Sequence, residues 1–108
     1  MSYKIIAVPN FRRELKKLAK KYPSLKNDFA LLLNSLEQNP EQGTPIGNHC
    51  YKIRLAIASK GKGKSGGARV ITYIQVIQNT VFLLSIYNKS EQENIDDKEL
   101  TELIKLIP

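Results

Sequence analysis

Three apolar segments of the chain carry basic, hydroxyl and tyrosine side chains at alternate positions. The alternate positions are Lys52 and Arg54 in the first segment, Arg69, Ile71 and Tyr73 in the second, where Ile71 is the one apolar member, and Ser85, Tyr87 and Lys89 in the third. Residues two apart in a β-strand point to the same face of the sheet. Cations on such a face can hold a phosphate and stabilise the charge that develops on it, while tyrosines stack on bases. If the three faces coincide, the spacing predicts a surface for RNA phosphate chemistry.

Charge is segregated along the chain, which has 17 Lys and Arg against 10 Asp and Glu and a formal net charge of +7. Residues 42–90 contain seven cations and no acid, whereas residues 91–102 contain six acids and a single lysine. A surface adapted only for solubility mixes the two signs. The separation instead favours a polyanion that contacts the middle of the chain.

A glycine-rich loop at residues 59–67 alternates Lys60, Lys62 and Lys64 with glycines. Two strings in it resemble nucleotide-binding motifs, but both motifs require a helix to follow the glycines, and a strand is predicted there. The remaining alternatives are a solvated loop tip and a backbone-phosphate contact. The cations on the flanking strands favour the phosphate contact.

Metal, cofactor and thiol chemistry are not expected. His49 and Cys50 are the only histidine and the only cysteine, and as neighbours in a strand they point to opposite faces, so they cannot share a metal ion. One cysteine excludes an internal disulfide and fits a reducing compartment. The apolar run near the N-terminus has five residues, too few for a signal sequence or a membrane span. We therefore expect a cytoplasmic protein without a membrane partner.

The chain is predicted to form one α+β domain over residues 1–108, with the order β-α-α-β-β-β-α. Residues 3–8 form a strand, Asn10 caps a helix over 11–22, and Ser24 caps a second helix to about residue 38. Residues 39–48 contain two prolines and two glycines and are predicted to be loop. Strands follow at 49–58, 68–77 and 80–87, and a last helix begins near Asp96, with Glu99 completing a capping box. The helical hairpin covers one sheet face, and the basic residues lie on the other, open face.

With these features the sequence resembles the RelE/ParE toxin superfamily, and within it the RelE and HigB-type toxins. The resemblance spans nearly the whole chain and is most specific in residues 50–55 (CYKIRL), 60–71 (KGKGKSGGARVI) and 84–91 (LSIYNKSE). It implies a two-helix hairpin on a small antiparallel sheet. It also implies a toxin of a type II toxin-antitoxin system, which cleaves messenger RNA on the ribosome by attack of a ribose 2′-OH, without a metal or cofactor. A cognate antitoxin covering the basic surface is the implied partner, beside the ribosome and its messenger.

By the same resemblance, Arg69 and Lys89 hold the phosphate and its transition-state charge, and Lys52 and Arg54 contact the substrate and transfer protons. The functional tyrosine of RelE falls at Ile95 in this sequence. The base is therefore open between Tyr87, Tyr73 and a lysine, including those of the glycine-rich loop. A ParE-like toxin that inhibits DNA gyrase and cuts no RNA is the alternative function, and an RNA-binding module without catalysis is a third.

Overall fold

A five-stranded mixed sheet organises the chain in the computed structural model, which describes residues 3–108. The elements are β1 (Lys4–Ala7), α1 (Pro9–Lys21), α2 (Leu25–Gln38), β2 (Thr44–Gly47), β3 (Cys50–Leu55), a 3₁₀ turn (Ala58–Lys60), β4 (Ala68–Gln75), β5 (Thr80–Asn88) and α3 (Asp97–Ile104). The strand order is β1-β5-β4-β3-β2. β1 pairs parallel with β5, and every other pair is antiparallel. The predicted α+β class is confirmed, with one strand more than the sequence indicated.

The extra strand, β2, lies in the segment predicted to be loop, and that prediction is wrong. Its residues pair antiparallel with β3, through a two-residue turn at Asn48 and His49. Both turn residues have positive φ, 54° and 63°, as the tight hairpin turns that match sheet twist require. Pro45 is tolerated because β2 is an edge strand, where a missing N–H costs no ladder hydrogen bond.

The helical hairpin α1–α2 packs on one face of the sheet and supplies Phe11, Leu25 and Leu36 to the core. Strand residues Ile53 and Val70 oppose each other in the register and lie buried in the same cluster. The helices have 13, 14 and 8 residues, and within residues 3–108 none has the length and apolar character needed to cross a bilayer.

Asn10 does not cap α1, contrary to the prediction. Pro9 occupies the first helical turn, where its missing N–H is not needed, and the cap position falls on Val8. The side chain of Asn10 instead donates to the carbonyl of Leu84, 3.0 Å away, and to Glu14 Oε1, 2.9 Å away. Asn10 therefore joins the helix to the sheet.

Glu14 and Asn10 together replace a strand neighbour along β5. β1 ends at Ala7, opposite Leu83, while β5 runs on to Asn88 and would leave backbone groups unpaired at that edge. A single oxygen, Glu14 Oε1, accepts hydrogen bonds from the Ile86 N–H at 3.2 Å and the Ser85 hydroxyl at 2.8 Å, as well as from Asn10. α1 thus holds the last residues of β5 in place.

The last helix, α3, begins as predicted but covers part of the face that was expected to be open. The Asp96 side chain accepts from the Glu99 N–H at 2.7 Å, which confirms the cap. Leu100 and Leu103 are buried in the core cluster, and Thr101 and Ile104 of the same helix line a pocket with Tyr73. Apolar residues on this face, including Ile71 and Phe82, require such a cover, because a sheet with two apolar faces needs packing on both.

Substitution at Glu14 tests the edge contact. Burial raises the pKa of Glu14 above its usual 4.5, although the hydrogen bonds from Ser85 and Ile86 oppose the rise. We expect Glu14→Ala to destabilise the fold by about 1–3 kcal/mol in chemical denaturation, because it leaves the Ile86 N–H without a partner.

Glu14→Gln is the matched control, because it keeps the accepting oxygen and removes only the charge. The folded chain holds the Glu14 proton more tightly than the unfolded chain, so wild-type stability should rise as pH falls through the raised pKa towards 4.5. Glu14→Gln should lack this gain, and an equally large gain in that variant would contradict the assignment.

Candidate functional site

The strand register brings the predicted basic residues onto one face of the sheet. Arg54 on β3 lies opposite Arg69 on β4, which lies opposite Tyr87 on β5, and the next row on the same face joins Lys52, Ile71 and Ser85. Lys89 follows β5, and its N–H donates to the carbonyl of Gly67 at 3.0 Å. We call Lys52, Arg54, Arg69, Tyr87 and Lys89 the basic face.

Members of the basic face differ in exposure, so the expectation of a fully open surface needs correction. Arg54 is exposed, Lys52 and Lys89 are half-buried, and Arg69 and Tyr87 retain only 4% and 7% of their accessible surface. α3 covers one end of this sheet face. The glycine-rich loop covers the other end, where it folds back onto Arg69.

Main-chain carbonyls hold the guanidinium of Arg69. Nη1 donates to the carbonyls of Lys64 at 2.9 Å and Ala68 at 3.1 Å, and Nη2 donates to that of Ser65 at 3.2 Å. Burial lowers the pKa of Arg69, and the nearby charge of Arg54 lowers it further, yet an arginine in a protein keeps its charge. The site therefore contains a buried positive charge whose acceptors are all neutral.

Neutral acceptors also hold two lysines, one on the basic face and one on the opposite side of the sheet, beside Tyr22 of the α1–α2 connection. Lys52 Nζ donates to the amide oxygen of Asn94 at 2.8 Å, and Lys60 Nζ donates to that of Asn88 at 2.6 Å. The two ion pairs found within residues 3–108 are Lys21–Glu91 and Lys105–Glu102, so neither involves the basic face. Because no carboxylate pairs with these cations in the described chain, their field remains available to an external anion.

Tyr87 presents a polar atom without a partner. Its hydroxyl is buried and makes no hydrogen bond with any residue of the described chain. Burial raises the pKa of Tyr87; the charge of Arg69 acts against this rise, and Glu99 adds to it. Tyr87 is therefore a protonated phenol at neutral pH, and it can donate a hydrogen bond or a proton.

Other residues singled out from the sequence lie elsewhere. Tyr73 is about 13 Å along β4 from Arg69, at about 3.3 Å per residue, and its ring packs 6.1 Å from that of His49. Ile95 packs against the hydrophobic core and supplies no polar group. Burial raises the pKa of Cys50 to about 11, so its thiol is protonated. By register Tyr73 and Cys50 lie on the same side of the sheet as Arg69 and Arg54, but two rows of paired residues away. None of Tyr73, His49 and Cys50 lies beside the row of Arg54, Arg69 and Tyr87.

The three lysines of the glycine-rich loop have different surroundings. Lys62 and Lys64 are exposed, whereas Lys60 is half-buried and also lies 5.7 Å from the centre of the Tyr22 ring. Asn88, which accepts from Lys60 and donates to the Tyr22 hydroxyl at 2.9 Å, did not emerge from the sequence. Its only sequence signal is an amide at the end of an apolar strand, since its partners are far away in the chain.

Comparison with known proteins identifies relatives of this arrangement. Residues 10–107 match the family described as RelE toxin of the RelE/RelB toxin-antitoxin system. A mutant of the E. coli toxin RelE in the free state superposes with a TM-score of 0.65 at 21% sequence identity, covering 100% of both chains. The isolated E. coli RelE toxin gives 0.62 at 16%, covering 98% of this chain and 100% of that one.

A toxin-antitoxin complex, RelBE2 from Mycobacterium tuberculosis, gives a TM-score of 0.62 at 18% identity, covering 82% of this chain and 99% of that one. At such identities the solved structures show a shared fold. The family match spans nearly the whole chain, including β3, β4, β5 and the loop that covers Arg69.

A substitution at Gly67 tests whether the loop backbone has one defined conformation. Gly67 is buried, and a Cβ at this position would collide with the main-chain oxygen of Leu55. We expect Gly67→Ala to lower the free energy of unfolding by about 1–3 kcal/mol, because rigid backbone must move to make room. Ser65→Ala, an exposed change in the same loop, should leave the denaturation midpoint within error, and equal midpoints for the two variants would contradict the packing described.

Proposed function

The chain belongs to the RelE toxin family of toxin-antitoxin systems, and from that premise we propose that it is an endoribonuclease that cleaves messenger RNA on the ribosome. The observation that carries the proposal is the basic face, where side chains from three strands meet without any carboxylate partner within the described chain. Phosphate neutralises such a surface and releases condensed counterions when it binds.

The proposed reaction is an internal transfer within the RNA strand. The ribose 2′-oxygen forms a bond to the adjacent phosphorus while the bond from phosphorus to the 5′-oxygen breaks. The products are a 2′,3′-cyclic phosphate and a 5′-hydroxyl end. Negative charge builds on the phosphoryl oxygens, so fixed cations beside them stabilise the transition state more than the ground state. In this proposal Arg54 and Lys89 supply those cations from the solvent side.

Proton transfer requires one group to receive the 2′-OH proton and another to protonate the leaving 5′-oxygen. Tyr87 suits the second role, because its pKa is raised and its hydroxyl has no internal partner. Its ring is covered in the free chain, and Glu99 of α3 lies near its hydroxyl, so α3 must shift for RNA to reach it. The proton acceptor is then a lysine that reacts as its neutral amine and becomes an ammonium group on taking the 2′-OH proton. Lys52 is the best placed for this role on the same face.

Two partners follow from this proposal. The ribosome presents RNA over a wide area, and α1 offers further exposed cations outside the basic face: Arg12, Arg13, Lys16, Lys17, Lys20 and Lys21. A cognate antitoxin is expected to cover the basic face and thereby exclude RNA. The solved relatives include toxin-antitoxin complexes, which supports a partner of that kind.

The alternative is a gyrase-inhibiting toxin with the same fold. Such a protein has no need for unpaired cations on its sheet, since it cleaves nothing. The neutral acceptors around Lys52 and Arg69 leave two positive charges intact on the basic face, an arrangement that favours an anionic substrate.

RNA ends from a translation extract test the proposed reaction. Adding the protein should produce cuts linked to codon position, dependent on ribosomes, with 5′-hydroxyl ends. Arg54→Ala combined with Lys89→Ala should slow cleavage by about 100-fold or more, because two charges leave the transition state.

Lys4→Ala with Lys26→Ala is the matched control, since it removes the same charge from exposed positions on β1 and α2 and should cleave normally. Intact message accompanied by gyrase–DNA breaks would support the gyrase inhibitor. Growth arrest that survives the Arg54 and Lys89 changes would leave only an RNA-binding module.

Tyr87→Phe tests the proton donor. The change removes one hydroxyl that has no hydrogen-bond partner in the described chain, so we expect the free energy of unfolding to stay the same or increase. The maximal cleavage rate should fall by about 100-fold, with a much smaller change in KM. A variant that cleaves at the wild-type rate would exclude Tyr87 as the donor.

A further inference from the structure

Cations anchor both ends of the glycine-rich loop to the folded core. At its start, Lys60 Nζ donates to Asn88 Oδ1 at 2.6 Å and to the Ser90 hydroxyl at 3.3 Å. At its end, Arg69 binds the carbonyls of Lys64 and Ser65. A loop with four glycines in seven residues, 61–67, would otherwise sample many conformations.

The hydrogen bonds of Arg69 bear on its role. Arg69 keeps 4% of its accessible surface, and three of its hydrogen bonds end on main-chain oxygens. A phosphate could reach this guanidinium only after the carbonyls of Lys64 and Ser65 had moved away. Those carbonyls would then lose a charged donor, which costs more than losing a neutral one. The contacts therefore favour a role in holding the loop over a role in holding the substrate.

Lys62 and Lys64 occupy the part of the loop between the two anchors. Both are exposed, and neither pairs with a carboxylate within residues 3–108. The backbone around them turns through Gly61 and Gly63, with φ of 72° and 64°, and the Gly67 N–H donates to the Lys64 carbonyl at 3.4 Å. Their main chain is thus fixed while their ammonium groups remain free.

We propose that Arg69 and Lys60 are positioning residues that hold the loop as a fixed arm, and that Lys62 and Lys64 on this arm bind RNA phosphates next to the scissile one. The inference rests on the proposed function, because it assumes that the basic face binds RNA. In this proposal Arg69 holds the loop and does not contact the scissile phosphate directly. Lys60 likewise holds the loop, whereas Lys62 and Lys64 bind RNA.

Fixing the arm before RNA arrives has an energetic consequence. Ordering a flexible segment during binding subtracts from affinity, and a segment ordered in advance avoids that cost. Losing an anchor should therefore weaken RNA binding through Lys62 and Lys64, while the chemistry at the cleaved phosphate proceeds.

A double-mutant cycle distinguishes the two roles of Arg69. The variants are Arg69→Ala, the pair Lys62→Ala and Lys64→Ala, and their combination, assayed on ribosomes programmed with a defined messenger. We expect Arg69→Ala to raise KM by about tenfold with kcat nearly unchanged, and to add less than about twofold in the Lys62/Lys64 background. An equal loss of kcat in both backgrounds would show direct contact with the reacting phosphate and overturn the proposal.

Arg69→Lys is a second variant that retains the charge if the alanine variant folds poorly. A lysine can replace an arginine as a point charge, but it cannot bridge two carbonyls with a planar fork. We expect Arg69→Lys to behave as Arg69→Ala does in KM. Full rescue by lysine would indicate that only the charge matters and would contradict the positioning role.

Hydrogen exchange of the amides in residues 61–67 measures the arm without any RNA. Exchange should accelerate in Arg69→Lys and Lys60→Met, and stay unchanged when Lys62 and Lys64 are replaced by alanine. Unchanged exchange in the anchor variants would refute the anchoring, whatever the cleavage result. A second outcome separates the two parts of the proposal. If exchange accelerates in the anchor variants but the wild-type protein neither binds programmed ribosomes nor cuts their messenger, the anchoring stands and the RNA role is refuted.

Discussion

Pairing between β3, β4 and β5 determines which side chains share a surface, and the candidate site depends on it. In a paired strand a shift of one residue moves every side chain to the opposite face. The observed register places Arg54, Arg69 and Tyr87 in one row. The same register turns Ile53, Val70 and Ile86 towards the helical hairpin, so burial of the apolar set and presentation of the basic set are a single constraint. Moving the cations out of line would expose the core.

Electrostatics at the basic face depends on the choice of acceptor. A buried arginine needs hydrogen-bond partners, because an isolated charge in the interior is too costly. A carboxylate would satisfy it but cancel its field. Arg69 uses main-chain oxygens and Lys52 uses an amide oxygen, so each side chain is held while its charge persists. All six acids after Ser90 lie on α3 or in the segment before it, where Asp96 caps the helix and carboxylates suit its N-terminus.

The edge of β5 shows how a helix can complete a sheet. β1 covers only the first half of β5, and the first turns of α1 take over beyond it, with Asn10 and Glu14 as substitutes for strand backbone. This contact holds Ser85 and Ile86 directly before Tyr87. A polar residue inside an amphipathic helix thereby supports the strand that carries the candidate proton donor.

Local patterns determined much of this protein. Apolar periodicity predicted both helices of the hairpin, alternation predicted β3, β4 and β5 and the shared face of their basic residues, and the Asp96–Glu99 spacing predicted the last cap. These features depend on neighbours a few residues apart. The sequence did not predict β2, because the prolines and glycines of residues 39–48 suit a loop equally well until an edge position is available. It also did not predict the burial of Arg69, the Lys60–Asn88 contact or the role of Glu14 along β5. Those contacts join residues brought together only by folding, and Arg69 finds its carbonyls because the tertiary structure brings the loop back over β4.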